Sequence, residues 1–155
     1  MGLGSNLAHP QRQITAALAA LARVPETRIL ARSSLYRTAP QGVVSRQPAY
    51  LNAVVLLATT LPADALLKHL QAIERARKRR RHARNAPRSL DLDLLTYGAL
   101  RRDRGSLQVP HPRLHRRAFV LVPLLEIAPD LQLPGLGRMK KFLPLSRNQR
   151  VTRVA

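Results

Sequence analysis

Cysteine and tryptophan are absent from this 155-residue chain, and acids are scarce, with 8 Asp+Glu against 27 Lys+Arg. Lack of cysteine excludes disulfides and thiolate metal sites, and it fits a cytosolic protein. Aromatics make up only 3% of residues, so any core must be aliphatic. Their scarcity also leaves few stacking platforms for single-stranded nucleic acid. No apolar run reaches the length of a membrane span. The N-terminus has no basic region followed by a long apolar stretch, so no signal peptide is expected. A Walker loop (Gly-x4-Gly-Lys-Ser/Thr), His-Glu-x-x-His and Gly-x-Ser-x-Gly are all missing. Gly2-Leu3-Gly4 begins a Gly-x-Gly, but Leu7 stands where the third glycine of a dinucleotide fingerprint belongs. Neither an internal repeat nor a clear linker divides the chain, and its length fits one domain over residues 1–155.

Hydrophobic residues make up 45%, enough to bury a core. The formal charge is +19, a field that attracts polyanions: nucleic acid, acidic membrane surfaces or a nucleotide triphosphate. Arg75 to Arg88 holds eight Lys+Arg and no acid, and Arg138 to Arg153 holds six more. Most of these cations are expected to be solvated surface, so charge alone predicts an anionic partner without identifying it.

Helical spacing is predicted over Leu7–Leu21, with Pro10 in the first turn and Ile14, Ala17, Leu18 and Leu21 on one face. A second helix is predicted over Pro62–Arg77, where Leu66, Leu67, Leu70, Ile73 and Glu74 keep the same period. Strands are predicted over Arg28–Tyr36, Tyr50–Thr60 and Ser89–Tyr97, a third helix over Arg117–Ile127 despite Pro123, and a short helix in the tail. Val109-Pro110-His111-Pro112 reads as a rigid extended connector. This mixed order predicts an α+β fold, a mostly antiparallel sheet with helices packed on it.

The chemistry concentrates at Pro87-Arg88-Ser89-Leu90-Asp91-Leu92-Asp93-Leu94. Leucines alternate with polar residues at the period of a half-buried strand, so Asp91 and Asp93 project from one face. Their Cα atoms are expected roughly 6.6 Å apart. Two carboxylates so spaced can hold one hard cation between them or one each of a pair. They can equally form the wet face of an amphipathic strand. The basic loop alongside favours the metal, because Arg forks match phosphate oxygens. Taken singly, Glu74, His111, Tyr50, Asn52 and Phe119 read as surface, turn, strand or core residues.

Jointly they carry a resemblance. Gly4-Ser5-Asn6-Leu7, Tyr36-Arg37-Thr38, Tyr50-Leu51-Asn52-Ala53, Ile73-Glu74-Arg75, Arg84-Asn85-Ala86-Pro87-Arg88-Ser89-Leu90-Asp91-Leu92-Asp93, Val109-Pro110-His111-Pro112 and Arg117-Ala118-Phe119 follow in order. From residue 4 to about 134 the chain resembles the 6-hydroxymethyl-7,8-dihydropterin pyrophosphokinases of folate biosynthesis. The resemblance implies a ferredoxin-like sandwich. It implies transfer of the β,γ-pyrophosphate of ATP, the co-substrate, to the pterin hydroxymethyl group, releasing AMP. It further implies two Mg²⁺ at Asp91 and Asp93, with Arg79 and Arg88 on the phosphates at the transition state. By the same resemblance Arg81 and Arg84 would belong to a closing loop, and residues 78–87 are expected to be mobile without nucleotide. On that resemblance too, Gln71, Glu74, His111 and Arg117 would face the nucleotide, while Thr38, Tyr50, Asn52 and Phe119 would form the pterin site.

A monomer in the cytoplasm is expected, with no membrane partner and no specific nucleic-acid partner, though non-specific attraction is in keeping with the charge. The competing reading is a basic α+β nucleic-acid-binding module or an inactive relative of the enzyme. Three departures from the family pattern stand out. The strand before Gly4 is cut to Met1-Gly2-Leu3, which predicts unpaired backbone groups on its neighbours. Lys78 stands where glycine is usual, and residues 100–104 are unusually basic.

Overall fold

The alternating and leucine-rich runs assemble into one antiparallel sheet in a computed structural model, which describes residues 1–7, 9–40, 47–77 and 89–154. Strand β1 (Gly2–Ser5) lies between β4 (Tyr50–Thr59) and β5 (Asp91–Asp93). The other edge of β4 takes two partners end to end, β3 (Tyr36–Thr38) beside its start and β2 (Thr27–Arg32) beside its end. Strand β8 (Val151–Arg153) pairs with the outer side of β3.

Helices α1 (Pro10–Leu21) and α2 (Ala63–Ala76) bury their apolar stripes, including Ile14, Leu21, Leu66 and Leu70, against Leu3, Ala53, Val55 and Leu92 on one face. Helix α3 (Ala118–Ile127) packs on the opposite face with Val54, Leu95 and Met139. It is apolar on most sides, which suits a helix covered by both the sheet and the tail. This is the α+β layering of a ferredoxin-like sandwich. Among the described residues, no helix is long and apolar enough to cross a membrane.

Several boundaries differ from the sequence prediction. The first helix starts at Pro10 rather than Leu7. The strand predicted over 28–36 is two strands, because the Ser33 hydroxyl accepts the Val54 N–H (2.9 Å) and interrupts the ladder. Of Ser89–Tyr97 only Asp91–Asp93 joins the ladder, since β1 offers partners no further than Gly2. Beyond it the Leu95 carbonyl takes the His111 N–H (2.8 Å) instead.

What the chain has of its first strand is fully paired. β1 is hydrogen-bonded on both sides, and Met1 exchanges two bonds with Val55 (2.8 and 2.9 Å). The tail is more than the short helix expected. A hairpin of β6 (Gln132–Leu133) and β7 (Gly137–Arg138) and a 3-10 segment (Met139–Ser146) lead into β8.

Candidate active site

Opposed residues in an antiparallel ladder carry their side chains on the same face. Gly4 is opposite both Asp91 and Asn52, and Asn52 is opposite Tyr36. Gly2 is opposite Asp93, and Tyr50 is opposite Thr38. Asp91, Asp93, Tyr50, Asn52 and Thr38 therefore share the face on which α3 packs. The two residues of β1 on that face are glycines; Leu95 packs over Gly2, and Gly4 leaves a trough between Asp91 and Asn52. A Cβ on Gly4 would stand 3.2 Å from Asn52 Oδ1.

The floor of the trough is built tightly. Thr38 and Asn52 are buried, and Asn52 Nδ2 donates to Thr38 Oγ1 (2.9 Å). This aims the amide and leaves its carbonyl toward β1. Phe119 occupies the second position of α3, with the Arg117 guanidinium 5.4 Å from its ring centre, within cation–π range. Arg117 also lies 3.6 Å from Asp93 Oδ2. One guanidinium thus joins the acidic side of the trough to its aromatic side.

Asp91 and Asp93 flank the buried Leu92, as the alternation predicts. Two carboxylates are hard oxygen donors, and among the described residues no third His, Cys, Asp or Glu completes a cluster with them. That donor set fits Mg²⁺, which is commonly held by one or two carboxylates while phosphate and water fill its octahedron.

Behind the pair, Glu74 is only 5% exposed, and its Oε1 accepts the Leu92 N–H (2.7 Å). β5 is the sheet's edge strand with β1 on its inner side, so Leu92 points its N–H outward. The carboxylate stands where a neighbouring strand's carbonyl would otherwise be. Gln71 lies one turn earlier on α2 and is half-buried.

His111 follows a cis Val109–Pro110 bond, and its backbone is fixed to Leu95. Burial, then the charges of Arg117 and Arg113, push its pKa down to about 4, with Asp91 opposing them. The ring is therefore neutral at pH 7. Nδ1 accepts the Arg113 N–H (3.1 Å), which puts the ring proton on Nε2 as a donor. His111 also borders a cleft of about 470 Å³ whose rim carries Arg101, Arg102, Gln108 and His115.

Arg79, Arg81, Arg84 and Arg88, Lys78, and the expected mobility of 78–87 lie outside the described residues. The residues on either side are fastened together. Ser89 Oγ donates to the Arg77 carbonyl (2.9 Å), and Ser5 Oγ donates to the Ser89 carbonyl (2.6 Å). Ser5, from the Gly-Ser-Asn-Leu box, thus holds the entrance to the aspartate strand.

Sequence reasoning missed two contributors. Glu74 was visible as a residue, but its backbone partner was not. Gln149 lies in a tail without pattern, yet its amide accepts the Ala118 N–H (2.9 Å) and donates to the Arg116 carbonyl (2.8 Å).

The chain matches the family model described as 7,8-dihydro-6-hydroxymethylpterin-pyrophosphokinase (HPPK) over residues 1–129. It is 50% identical over 143 residues to a 2-amino-4-hydroxy-6-hydroxymethyldihydropteridine pyrophosphokinase of Pseudomonas aeruginosa, covering 92% of this chain and 88% of that one. The identically named protein of Haemophilus influenzae is 44% identical over 135 residues, 87% of this chain and 84% of its own. That of Methylorubrum extorquens is 42% identical over 135 residues, covering 87% and 85%.

Proposed function

The chain belongs to the 7,8-dihydro-6-hydroxymethylpterin-pyrophosphokinase family, and from that premise we propose that it transfers pyrophosphate from ATP to 6-hydroxymethyl-7,8-dihydropterin in folate biosynthesis. The pterin hydroxymethyl oxygen attacks the β-phosphorus of ATP. The bond from that phosphorus to the α,β-bridging oxygen breaks, AMP leaves, and the hydroxyl proton passes to solvent.

The observation that carries the reading is the shared face. Two carboxylates, a side-chain-free strand, a fixed amide and an aromatic ring stand on one side of the sheet. A flat heterocycle suits the space between Tyr50 and Phe119, with Asn52 and Thr38 offering hydrogen bonds at its edge. Asp91 and Asp93 would hold two Mg²⁺, which when bound neutralise phosphate charge.

Arg117 and the Nε2–H of His111 are suited to phosphate oxygens, a cation and a neutral donor respectively. Gln71 sits toward the nucleoside, and Glu74 supports the aspartate strand from behind. Arg79 and Arg88 would stabilise charge developing on the transferred group, while Arg81 and Arg84 would close over it and exclude water. Catalysis on this reading is mostly positioning and electrostatics. The same reading takes one domain acting as a cytoplasmic monomer.

The test supplies Mg-ATP and hydroxymethyl-dihydropterin and measures AMP. Asp91→Ala, Asp93→Ala and Arg88→Ala should each lower turnover by about a hundredfold or more with the fold retained. Unchanged turnover in these variants rejects the assignments. Salt-resistant binding to nucleic acid with no AMP formed would favour the basic binding module instead.

A further inference from the structure

Helix α3 begins without a capping acceptor from its own sequence, because the residue before it is Arg117, whose guanidinium is donor-only. The cap comes from 31 residues further along the chain. Gln149 Oε1 accepts the N–H of Ala118, the first helical residue, and Nε2 donates to the carbonyl of Arg116. The two bonds bracket Arg117 and precede Phe119.

Gln149 is itself held by its N–H on the Ser146 carbonyl (3.0 Å), and two residues later the chain enters β8. There Val151 is opposite Thr38, and Val154 N–H reaches the Leu35 carbonyl (2.8 Å). One short tail segment therefore fastens both the helix carrying Phe119 and the strand carrying Thr38.

We propose that Gln149 is a positioning residue for pterin binding: its amide sets the first turn of α3, and so places Phe119 and Arg117 against the trough before substrate arrives. This rests on the reading that Phe119 lines the pterin site. The segment lies beyond residues 1–129, which match the family model. Without the amide, the first turn of α3 frays in the free protein and the substrate must order it. That weakens binding but leaves the chemistry of the bound complex largely intact.

The experiment compares the full chain with its Gln149→Ala and Gln149→Glu variants, measuring pterin affinity by fluorescence titration, both KM values and kcat. Gln149→Ala should raise the pterin Kd and KM about tenfold and the KM for ATP by a smaller factor, through Arg117, with kcat within about twofold. Gln149→Glu keeps an acceptor for the Ala118 N–H and should restore most of the affinity. If the alanine variant does not fold, Gln149→Met, of similar length, carries the same expectation.

Unaltered pterin affinity in an active background overturns the inference. So does a parallel loss of pterin and ATP affinity that follows thermal stability. Wild-type protein that forms no AMP overturns the functional reading, and this inference with it. An active wild type with an unaltered Gln149→Ala variant overturns the inference alone.

Discussion

Replacing Glu74 by alanine removes a carboxylate bonded to the strand that carries both aspartates. The bond is short (2.7 Å), buried and charge-assisted, and its donor is an edge N–H on a residue that is itself 5% exposed. Hydrogen bonds to charged groups contribute about 1.5–3 kcal/mol, and a buried donor left unmet costs a similar amount. The two figures describe one event from two sides and are not summed. A loss of about 2–3 kcal/mol is expected for Glu74→Ala, and roughly half for Glu74→Gln, which keeps an oxygen acceptor. For a chain of this length that is a fall in Tm of about 5–10 °C for alanine.

The loosened strand also displaces Asp91 and Asp93. The Mg²⁺ concentration giving half-maximal AMP formation should therefore rise in the alanine variant and much less in the glutamine variant. Circular dichroism melts and the AMP assay, run across magnesium concentrations, measure both. A Tm within 1 °C of wild type refutes the support role. An unchanged Tm with weakened ATP binding would instead put the Glu74 carboxylate in contact with nucleotide.

Two further outcomes follow from the geometry. His111 has a folded pKa of about 4 against an ordinary 6.5, so the folded protein resists its protonation. Its contribution to stability is complete above pH 6.5 and is lost as pH falls toward 4. Melts between pH 7 and 4 should show a steeper decline for wild type than for His111→Gln, and equal slopes would refute the assignment. Gly4→Ala puts a Cβ 3.2 Å from Asn52 Oδ1, so the Asn52 amide must shift by a few tenths of an ångström from the orientation that Thr38 fixes. Pterin affinity should fall about tenfold with little change in Tm, checked by titration against a melt.

Much of this was legible in the sequence where one element decides its own burial. The Leu-Asp alternation gave the strand face because side chains on a strand alternate, and the buried Leu90, Leu92 and Leu94 bear that out. Helix α2 announced itself through its 3.6-residue stripe. The break at Ser33 was not legible, because a hydroxyl that accepts a distant N–H has no periodic signature. Nor were the contacts of Glu74 with Leu92 and of Gln149 with Ala118, each of which joins a side chain to backbone far along the chain. The strand β8 was hidden for the same reason: three residues of a basic tail become a strand only because β3 presents an unpaired edge.

The serine fastening between Arg77 and Ser89 separates architecture from chemistry. The ends of the intervening eleven-residue stretch are closed by hydroxyls that belong to the frame, and the cost of joining them grows only slowly with the length between, about 0.6 kcal/mol per doubling. Residues there can change in number or kind without disturbing the sheet. A lineage can therefore alter how it meets a triphosphate while keeping the two aspartates where they stand.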